Sequence, residues 1–198
     1  MLPERRILPQ DVTLVVLAGG RGQRMQGQDK GLLVYRGRRL VDRVCDALSK
    51  QTKQIMISAN RNLEQYRQTG FPVISDSVDG YQGPLAGMLS AMQQATTRWI
   101  LSVPCDSPNI ADDYVDRMLS AAQLSDCEVV VASDGARIQP VYALLATRLA
   151  GALESYLASG QRRTGQWLSA QPHATAHFDQ ASGIFTNFNT PADLRGKS

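Results

Sequence analysis

Residues that carry nucleophilic or zinc chemistry are scarce in this sequence. Its two histidines, His173 and His177, have neither an H-E-x-x-H pattern nor a cysteine partner, and no G-x-S-x-G or cysteine–histidine nucleophile signature is present. The three cysteines stand far apart without metal-ligand spacing, and their odd number argues against a disulfide framework. These absences argue against zinc binding and against a serine or cysteine nucleophile, and they fit a reducing cytoplasm.

Long apolar runs and a strong excess of one charge are also absent. No apolar run approaches the roughly 18 residues that a membrane-spanning helix needs. The N-terminal stretch MLPERRILPQD lacks the features of a secretory signal, and a net charge of +3 is too small to indicate nucleic-acid binding by itself. We therefore expect a cytoplasmic protein without a membrane or nucleic-acid partner, with residues 1–11 as a flexible leader and 12–198 as one domain.

Short strand-like runs alternate with longer segments of helical spacing. Residues 12–18 form an unbroken, β-branched apolar run, which is typical of a central strand buried on both faces. Further strands are predicted at 54–59, 72–75, 99–103, 128–132, 139–145 (returning antiparallel) and 174–178, with helices between them and a short final helix from Thr190. This order predicts a three-layer α/β fold with a mostly parallel, doubly wound, Rossmann-like sheet.

Polar or glycine residues stand just after four of the predicted strands. Gly19 and Gly20 follow the first strand, Asn60 the second, Asp76 the third and Asp106 the fourth. Ligands of doubly wound sheets bind beyond the carboxyl ends of the strands. We therefore expect these residues to converge on one rim of the sheet.

The segment after the first strand has the composition of a polyphosphate cradle. Four glycines, two arginines and Lys30 fall within residues 19–30, and successive backbone N–H groups of such a loop bind anions. It is not a P-loop, because Gln28 follows Gly27, and it is not a dinucleotide fingerprint, because Met25 replaces the third glycine. Glycine content alone leaves a solvated strand-to-helix loop as the alternative.

Asp106 is the predicted Mg²⁺ ligand, because Mg²⁺ binds NTP enzymes through one or two carboxylates plus substrate phosphates. A helix cap is the alternative role for it and for Asp76. Asn187 and Asn189 alternate on an extended segment and point to the same side, so they could complete a metal or acceptor site, or bond only turn backbone. The missing base fits transfer to a phosphate, because a phosphate monoester with a second pKa near ~6 is already largely a dianion.

The pattern L-A-G-G-x-x-x-R-M-x-x-x-D-K resembles the signature loop of nucleotidyltransferases and, more narrowly, of the molybdenum cofactor guanylyltransferase family. It is matched by Leu17, Ala18, Gly19, Gly20, Arg24, Met25, Asp29 and Lys30. Further blocks match in the same order, at residues 58–61, 75–77, 83–88, 104–108 and 187–194. Each block is weak alone, but the combination is specific and covers most of the chain.

The resemblance implies a nucleotide-diphospho-sugar-transferase fold and the transfer of GMP from GTP to molybdenum–molybdopterin, with Mg²⁺ as cofactor and pyrophosphate as product. It also allows partner proteins that make or receive the molybdenum cofactor. The catalytic residues that it implies are Lys30, Arg24 and Asp106, and Asp106 is also the metal ligand. The GTP-binding residues that it implies are Leu17, Ala18, Gly19, Gly20, Lys30, Asn60, Asp76, Gly83 and Asp106. Asn187 and Asn189 would bind the acceptor.

One departure and several rival functions remain. Gln26 stands where the family commonly has glycine, but the loop length is kept, so we expect function to survive. The rivals are a sister enzyme that uses CTP or a sugar phosphate, a glycosyltransferase and a non-catalytic GTP-binding module. A glycosyltransferase of this fold usually has Asp-x-Asp at the metal, whereas this chain has Asp106-Ser107-Pro108.

Overall fold

A mixed seven-stranded sheet forms the middle layer of the protein, in a computed structural model that describes residues 6–19, 28–77, 83–179 and 183–188. The strands are β1 (Val12–Leu17), β2 (Val34–Tyr35), β3 (Arg38–Arg39), β4 (Ile55–Ser58), β5 (Val73–Ile74), β6 (Trp99–Pro104), β7 (Val129–Ser133), β8 (Ile138–Ala146) and β9 (His173–His177). The sheet order is β5-β4-β1-β6-β8-β7-β9, and β2 and β3 form a separate hairpin. Only β8 runs antiparallel to its neighbours in the large sheet.

Helices cover both faces of this sheet. They are α1 (Leu40–Ser49), α2 (Leu63–Arg67), α3 (Pro84–Gln94), α4 (Tyr114–Ser125), α5 (Ala150–Ala158) and α6 (Thr164–Ser169). Because successive strand residues face opposite sides, Val12, Leu14 and Val16 of β1 join one core with α1, α2 and α4, while Val15 joins the other with α3, α5 and α6. The predicted three-layer fold with a mostly parallel sheet is confirmed. Within the described ranges, no helix is long and apolar enough to cross a bilayer.

The structure differs from the sequence prediction at three places. The region of Arg36, Arg38 and Arg39 contains the β2–β3 hairpin, which is not among the strands predicted from the sequence. Between the predicted strands 139–145 and 174–178, the expected helical segment begins with a separate 3-10 turn, Thr147–Leu149, before α5. β8 pairs with β7 as expected, but it also lies beside β6, which separates β6 from β7. The final helix expected from Thr190 lies outside the described residues.

The chain changes direction across the sheet between β1 and β6. From β1 it proceeds through β4 to β5 at one edge, and it then returns to form β6 on the other side of β1. Beyond the paired ends of these two strands, the backbone N–H of Cys105 donates to the carbonyl oxygen of Leu17 at 3.1 Å. Doubly wound sheets bind ligands at such a switch point. Four of the rim residues predicted from the sequence lie here, namely Gly19, Asn60, Asp76 and Asp106.

Candidate active site

A pocket of about 310 Å³ opens at the carboxyl ends of β1, β4 and β6. It is lined by Leu17, Ala18, Gly19, Asp29, Lys30, Ser58, Asp76, Gly83, Pro84, Gly87, Pro104, Cys105, Asp106, Val141 and Asn187. The predicted site residues in the described ranges therefore meet here, with Asn60 joined to them through Asp76. The other predicted site residues, Gly20, Arg24 and Asn189, lie outside the described ranges.

Asn60 and Asp76 form a reciprocal hydrogen-bonded pair at one end of the pocket. The Asn60 Nδ2 donates to Asp76 Oδ2 at 2.6 Å, and the backbone N–H of Asp76 donates to Asn60 Oδ1 at 2.9 Å. Burial raises the pKa of the Asp76 carboxyl, and the hydrogen bonds from Asn60 and Ser58 oppose that rise. The pair holds a half-buried carboxyl group in a fixed orientation at the pocket wall.

Lys30 and Asp106 form an ion pair at the other polar end. Lys30 begins the 3-10 turn Lys30–Leu32, and Asp106 follows β6. The Lys30 Nζ lies 2.9 Å from Asp106 Oδ2, and the two side chains are 28% and 10% exposed. Each charge therefore has a counterion within the protein, while the lysine stays accessible from the pocket. An anionic ligand that binds Lys30 would compete with Asp106 for it.

Helix α3 approaches the strands closely at Gly87, where there is no room for a side chain. A Cβ at this position would lie 2.6 Å from Ser58 Oγ and 2.8 Å from Leu17 Cδ2. The helix begins after Gly83, whose φ of 79° is a conformation that residues with a Cβ rarely adopt. The two glycines together bring the first turns of α3 against the ends of β1 and β4.

We expect Gly87→Ala to lower the free energy of unfolding by about 1–3 kcal/mol, because a packed helix and two strand ends must separate to admit the methyl group. The matched control is Gly151→Ala in α5, where no atom lies within 4 Å of the added Cβ. That exposed helical change should raise the free energy of unfolding by up to about 1 kcal/mol. Urea denaturation of both variants measures the difference, and equal effects would contradict the close approach at Gly87.

Residues 183–188 lie against the loop that carries Asp106. The backbone N–H of Phe188 donates to the Asp106 carbonyl oxygen at 3.0 Å, and the Ser107 hydroxyl donates to Asn187 Oδ1. Further along, the Tyr142 hydroxyl donates to the carbonyl oxygen of Ile184 at 3.1 Å. These contacts place Asn187 beside the Asp106 loop. That the Asn187 and Asn189 amides point to the same side stays a prediction, because Asn189 lies outside the described ranges.

The donor set around Asp106 fits a nucleotide-bound Mg²⁺ better than a metal site made by protein alone. In the described part of the chain, no three His, Cys, Asp or Glu side chains are grouped to hold a metal ion. Mg²⁺ in NTP enzymes needs only one or two protein carboxylates, because substrate phosphates and water complete its shell. The carboxylate of Asp106 in the pocket wall meets that requirement.

The other reactive residue types have no evident part in the pocket chemistry. Burial raises the pKa of the Cys105 thiol well above its ordinary value, so it is protonated and a poor nucleophile at neutral pH. His173 and His177 lie on β9, at the far edge of the sheet. Among the described residues, the pocket lining includes no histidine. The described lining thus supplies groups for binding and charge neutralisation, namely the Asp76 carboxyl and the Lys30–Asp106 pair.

Sequence reasoning assigned no role to several residues at the pocket. Asp29 and Ser58 lie in motifs that were recognised, but a motif does not tell which of its members face the ligand. Val141 reaches the pocket because β8 lies next to β6, and that position has no signal in the sequence. Tyr66, which is not among the described lining residues, is fully buried and contacts Asp29, and no local pattern in the sequence indicates that contact.

Comparison with known proteins gives one consistent family. The family model described as the MobA-like NTP transferase domain matches residues 14–175. The chain is 42% identical to the molybdenum cofactor guanylyltransferase of Shewanella loihica, over 91% of this chain and 92% of that protein. It is also 42% identical to the molybdenum cofactor guanylyltransferase of Mannheimia succiniciproducens, over 92% of this chain and 96% of that protein.

Solved structures with low sequence identity share the fold. The molybdopterin-guanine dinucleotide biosynthesis protein A of Archaeoglobus fulgidus superposes with a TM-score of 0.74 at 21% identity, covering 92% of this chain and 95% of its own. The 4-diphosphocytidyl-2C-methyl-D-erythritol synthase of Anaerococcus prevotii gives a TM-score of 0.73 at 14% identity, with 94% of each chain covered. At these identities the likeness concerns the fold alone.

Proposed function

Because this chain belongs to the MobA-like NTP transferase family, we propose that it transfers GMP from GTP to the terminal phosphate of molybdenum–molybdopterin. The chain is a nucleotidyltransferase, and its relatives connect the transfer with biosynthesis of the molybdenum cofactor. The products would be molybdopterin guanine dinucleotide and pyrophosphate, made in the cytoplasm with Mg²⁺ as cofactor. The observation that carries the proposal is one pocket with a carboxyl–amide pair at one end and a lysine–carboxylate pair at the other.

The chemistry of Asp76 supports guanine as the base. An ionised carboxylate only accepts hydrogen bonds, and the Watson–Crick edge of guanine offers two neighbouring donors, N1–H and the exocyclic amino group. Cytosine and adenine each present an acceptor nitrogen beside their amino group, which a carboxylate would repel. Because the Asn60 amide and the Asp76 backbone N–H hold this pair together, the carboxylate is oriented before the base arrives.

Lys30 and Asp106 would handle the triphosphate. Lys30 would exchange its contact with Asp106 for one with phosphate oxygens, which leaves the carboxylate available to a metal ion. Asp106 would hold a Mg²⁺ ion there, which would supply charge neutralisation for the transferring phosphate. Lys30 would hold the triphosphate in line with the acceptor, so that positioning and charge neutralisation lower the barrier.

The acceptor phosphate would attack the α-phosphate of GTP and displace pyrophosphate. It needs no protein base, because a phosphate monoester is largely a dianion at neutral pH. Asn187, held beside the Asp106 loop by Ser107, would orient the acceptor through its amide. Arg24 and Asn189 are proposed to act at the same end of the pocket, and proteins that make or receive the molybdenum cofactor are proposed partners.

Nucleotide specificity tests the proposal directly. Purified protein is incubated with Mg²⁺ and the molybdopterin acceptor, and pyrophosphate release is followed for GTP, CTP, ATP and UTP, each with and without acceptor. We expect acceptor-dependent release with GTP and a dinucleotide product visible by mass spectrometry. Release with CTP instead would assign the sister cytidylyl transfer, and GTP binding without release would favour the binding module.

A further inference from the structure

Lys30 is flanked by two residues that both contact one tyrosine of helix α2. Tyr66 is fully buried, and its hydroxyl donates to Asp29 Oδ1 at 2.5 Å. On the other side of Lys30, a Cβ added to Gly31 would lie 2.5 Å from the Tyr66 hydroxyl oxygen and 3.1 Å from its Cε1. The tyrosine therefore touches the chain immediately before and immediately after the lysine. Asp29 cannot move away from the tyrosine without losing a hydrogen bond, and Gly31 leaves no room for a side chain against it.

Asp29 needs these contacts, because it is only 8% exposed and a buried carboxylate is costly without donors. Its second oxygen, Oδ2, accepts a hydrogen bond from Asn62 Nδ2 at 3.3 Å. Its carbonyl oxygen accepts the backbone N–H of Leu32 at 3.1 Å, which closes the turn that begins at Lys30. The side chain and the backbone of Asp29 thus join α2 to the turn that carries the lysine.

The donors come from the same segment that forms the other polar end of the pocket. Asn60 follows β4 and pairs with Asp76. Two residues later Asn62 adopts a left-handed conformation, with φ of 51°, and Tyr66 follows one helical turn on. The residues 60–66 therefore contact both the carboxyl group proposed to bind the base and the turn proposed to bind the triphosphate.

We propose that Tyr66, acting through Asp29 and Gly31, is a positioning residue that fixes the turn Lys30–Leu32 so that the lysine ammonium meets the triphosphate. The inference rests on the proposed function in that it needs Lys30 to bind phosphate. Tyr66 is not among the described residues that line the pocket, so it would act through the lysine turn and not directly on a substrate. Its effect on the reaction should therefore depend wholly on the presence of the lysine.

The test is a double-mutant cycle between Tyr66→Phe and Lys30→Ala, read as affinity for inorganic triphosphate in the presence of Mg²⁺. This probe has neither a base nor an acceptor, and calorimetry measures its binding. We expect Tyr66→Phe to weaken binding roughly ten-fold, because Asp29 loses a buried donor and the turn loosens. In the Lys30→Ala background the same change should have less than about a two-fold effect, since coupled residues are not additive.

Tyr114→Phe is the matched control. Tyr114 is also a fully buried tyrosine, and its hydroxyl donates to the Ser102 carbonyl oxygen at 3.2 Å, within the core under α4. Both phenylalanine variants lose one buried donor and should lower the melting temperature alike. Only Tyr66→Phe should weaken triphosphate binding. Asn62→Gly keeps the left-handed backbone but removes the second donor to Asp29, so it should also weaken triphosphate binding. This variant replaces Tyr66→Phe in the cycle if Tyr66→Phe does not fold.

Additive effects of the two substitutions would overturn the proposal, because Tyr66 would then act independently of the lysine. A Tyr66→Phe variant that loses stability as Tyr114→Phe does, but binds triphosphate as the parent does, would also overturn it. So would a parent protein that does not bind Mg²⁺-triphosphate at all. Failure of the proposed reaction would give a different result. The protein would then release no pyrophosphate from GTP, while the double-mutant cycle measured with triphosphate would still show coupling between Tyr66 and Lys30.

Discussion

Replacing Asp106 by asparagine is expected to slow pyrophosphate release about a thousand-fold and to leave the protein folded. The substitution keeps the size of the side chain and an oxygen that can accept from Lys30, but it removes the charge that would bind Mg²⁺. Because the Mg²⁺ ion held by this carboxylate would neutralise charge on the transferring phosphate, loss of the carboxylate should appear mainly in kcat at saturating GTP. Single-turnover measurements at several Mg²⁺ concentrations test this, with circular dichroism to verify the fold.

Asp113→Asn gives the comparison for loss of a carboxylate elsewhere. Asp113 precedes α4, is exposed, and forms a surface ion pair with Arg117 at 2.7 Å. Such exposed pairs contribute about 0–1 kcal/mol to stability, so this variant should turn over as the parent does. Retained activity in Asp106→Asn together with unchanged Mg²⁺ dependence would rule out Asp106 as the metal ligand.

The rim of the pocket could be predicted from the sequence because parallel strands end at one edge. A short apolar run followed closely by Gly19, Asn60, Asp76 or Asp106 is a local pattern, and the sheet topology then brings the four positions together. The same reasoning gave the layers of the fold, because the apolar periods of strands and helices differ. Both conclusions start from local patterns, in which each residue is interpreted from its neighbours along the chain.

Contacts between distant segments could not be predicted in this way. The β2–β3 hairpin has only two residues in each strand, too few for a periodic pattern, and its Tyr35 packs on Phe188 with ring centroids 4.7 Å apart. Val141 reaches the pocket because β8 lies between β6 and β7, which depends on the packing of the whole sheet.

The role of Asp29 illustrates why charge alone is a poor guide to position. In the sequence it is an acidic residue beside a glycine-rich loop, where a solvated location is the ordinary expectation. In the structure it is buried, because Tyr66 and Asn62 supply donors from α2. The L-A-G-G-x-x-x-R-M-x-x-x-D-K pattern includes Asp29 but does not show that it is buried. The donors that make its burial possible lie more than thirty residues away along the chain.

Lys30→Ala is expected to lower turnover with GTP about a hundred-fold while it strengthens the binding of a divalent cation to the free protein. The first effect follows because the variant loses a charged donor to the triphosphate. The second follows because the Lys30 ammonium lies 2.9 Å from Asp106 Oδ2. Removing the ammonium group frees that oxygen and removes a positive charge that repels the cation. Pyrophosphate release measures the first effect, and Mn²⁺ titration followed by electron paramagnetic resonance measures the second.

Lys50→Ala separates this local effect from a general change in charge. Lys50 is exposed at the end of α1, so its removal alters the net charge equally without touching the pocket. It should change neither turnover nor Mn²⁺ affinity. If Lys30→Ala instead lowered both, the lysine would be needed to orient the Asp106 carboxylate, and the exchange of partners from carboxylate to phosphate would be wrong. Opposite signs for the two effects would mean that the ion pair keeps the carboxylate from the metal until a triphosphate draws the lysine away.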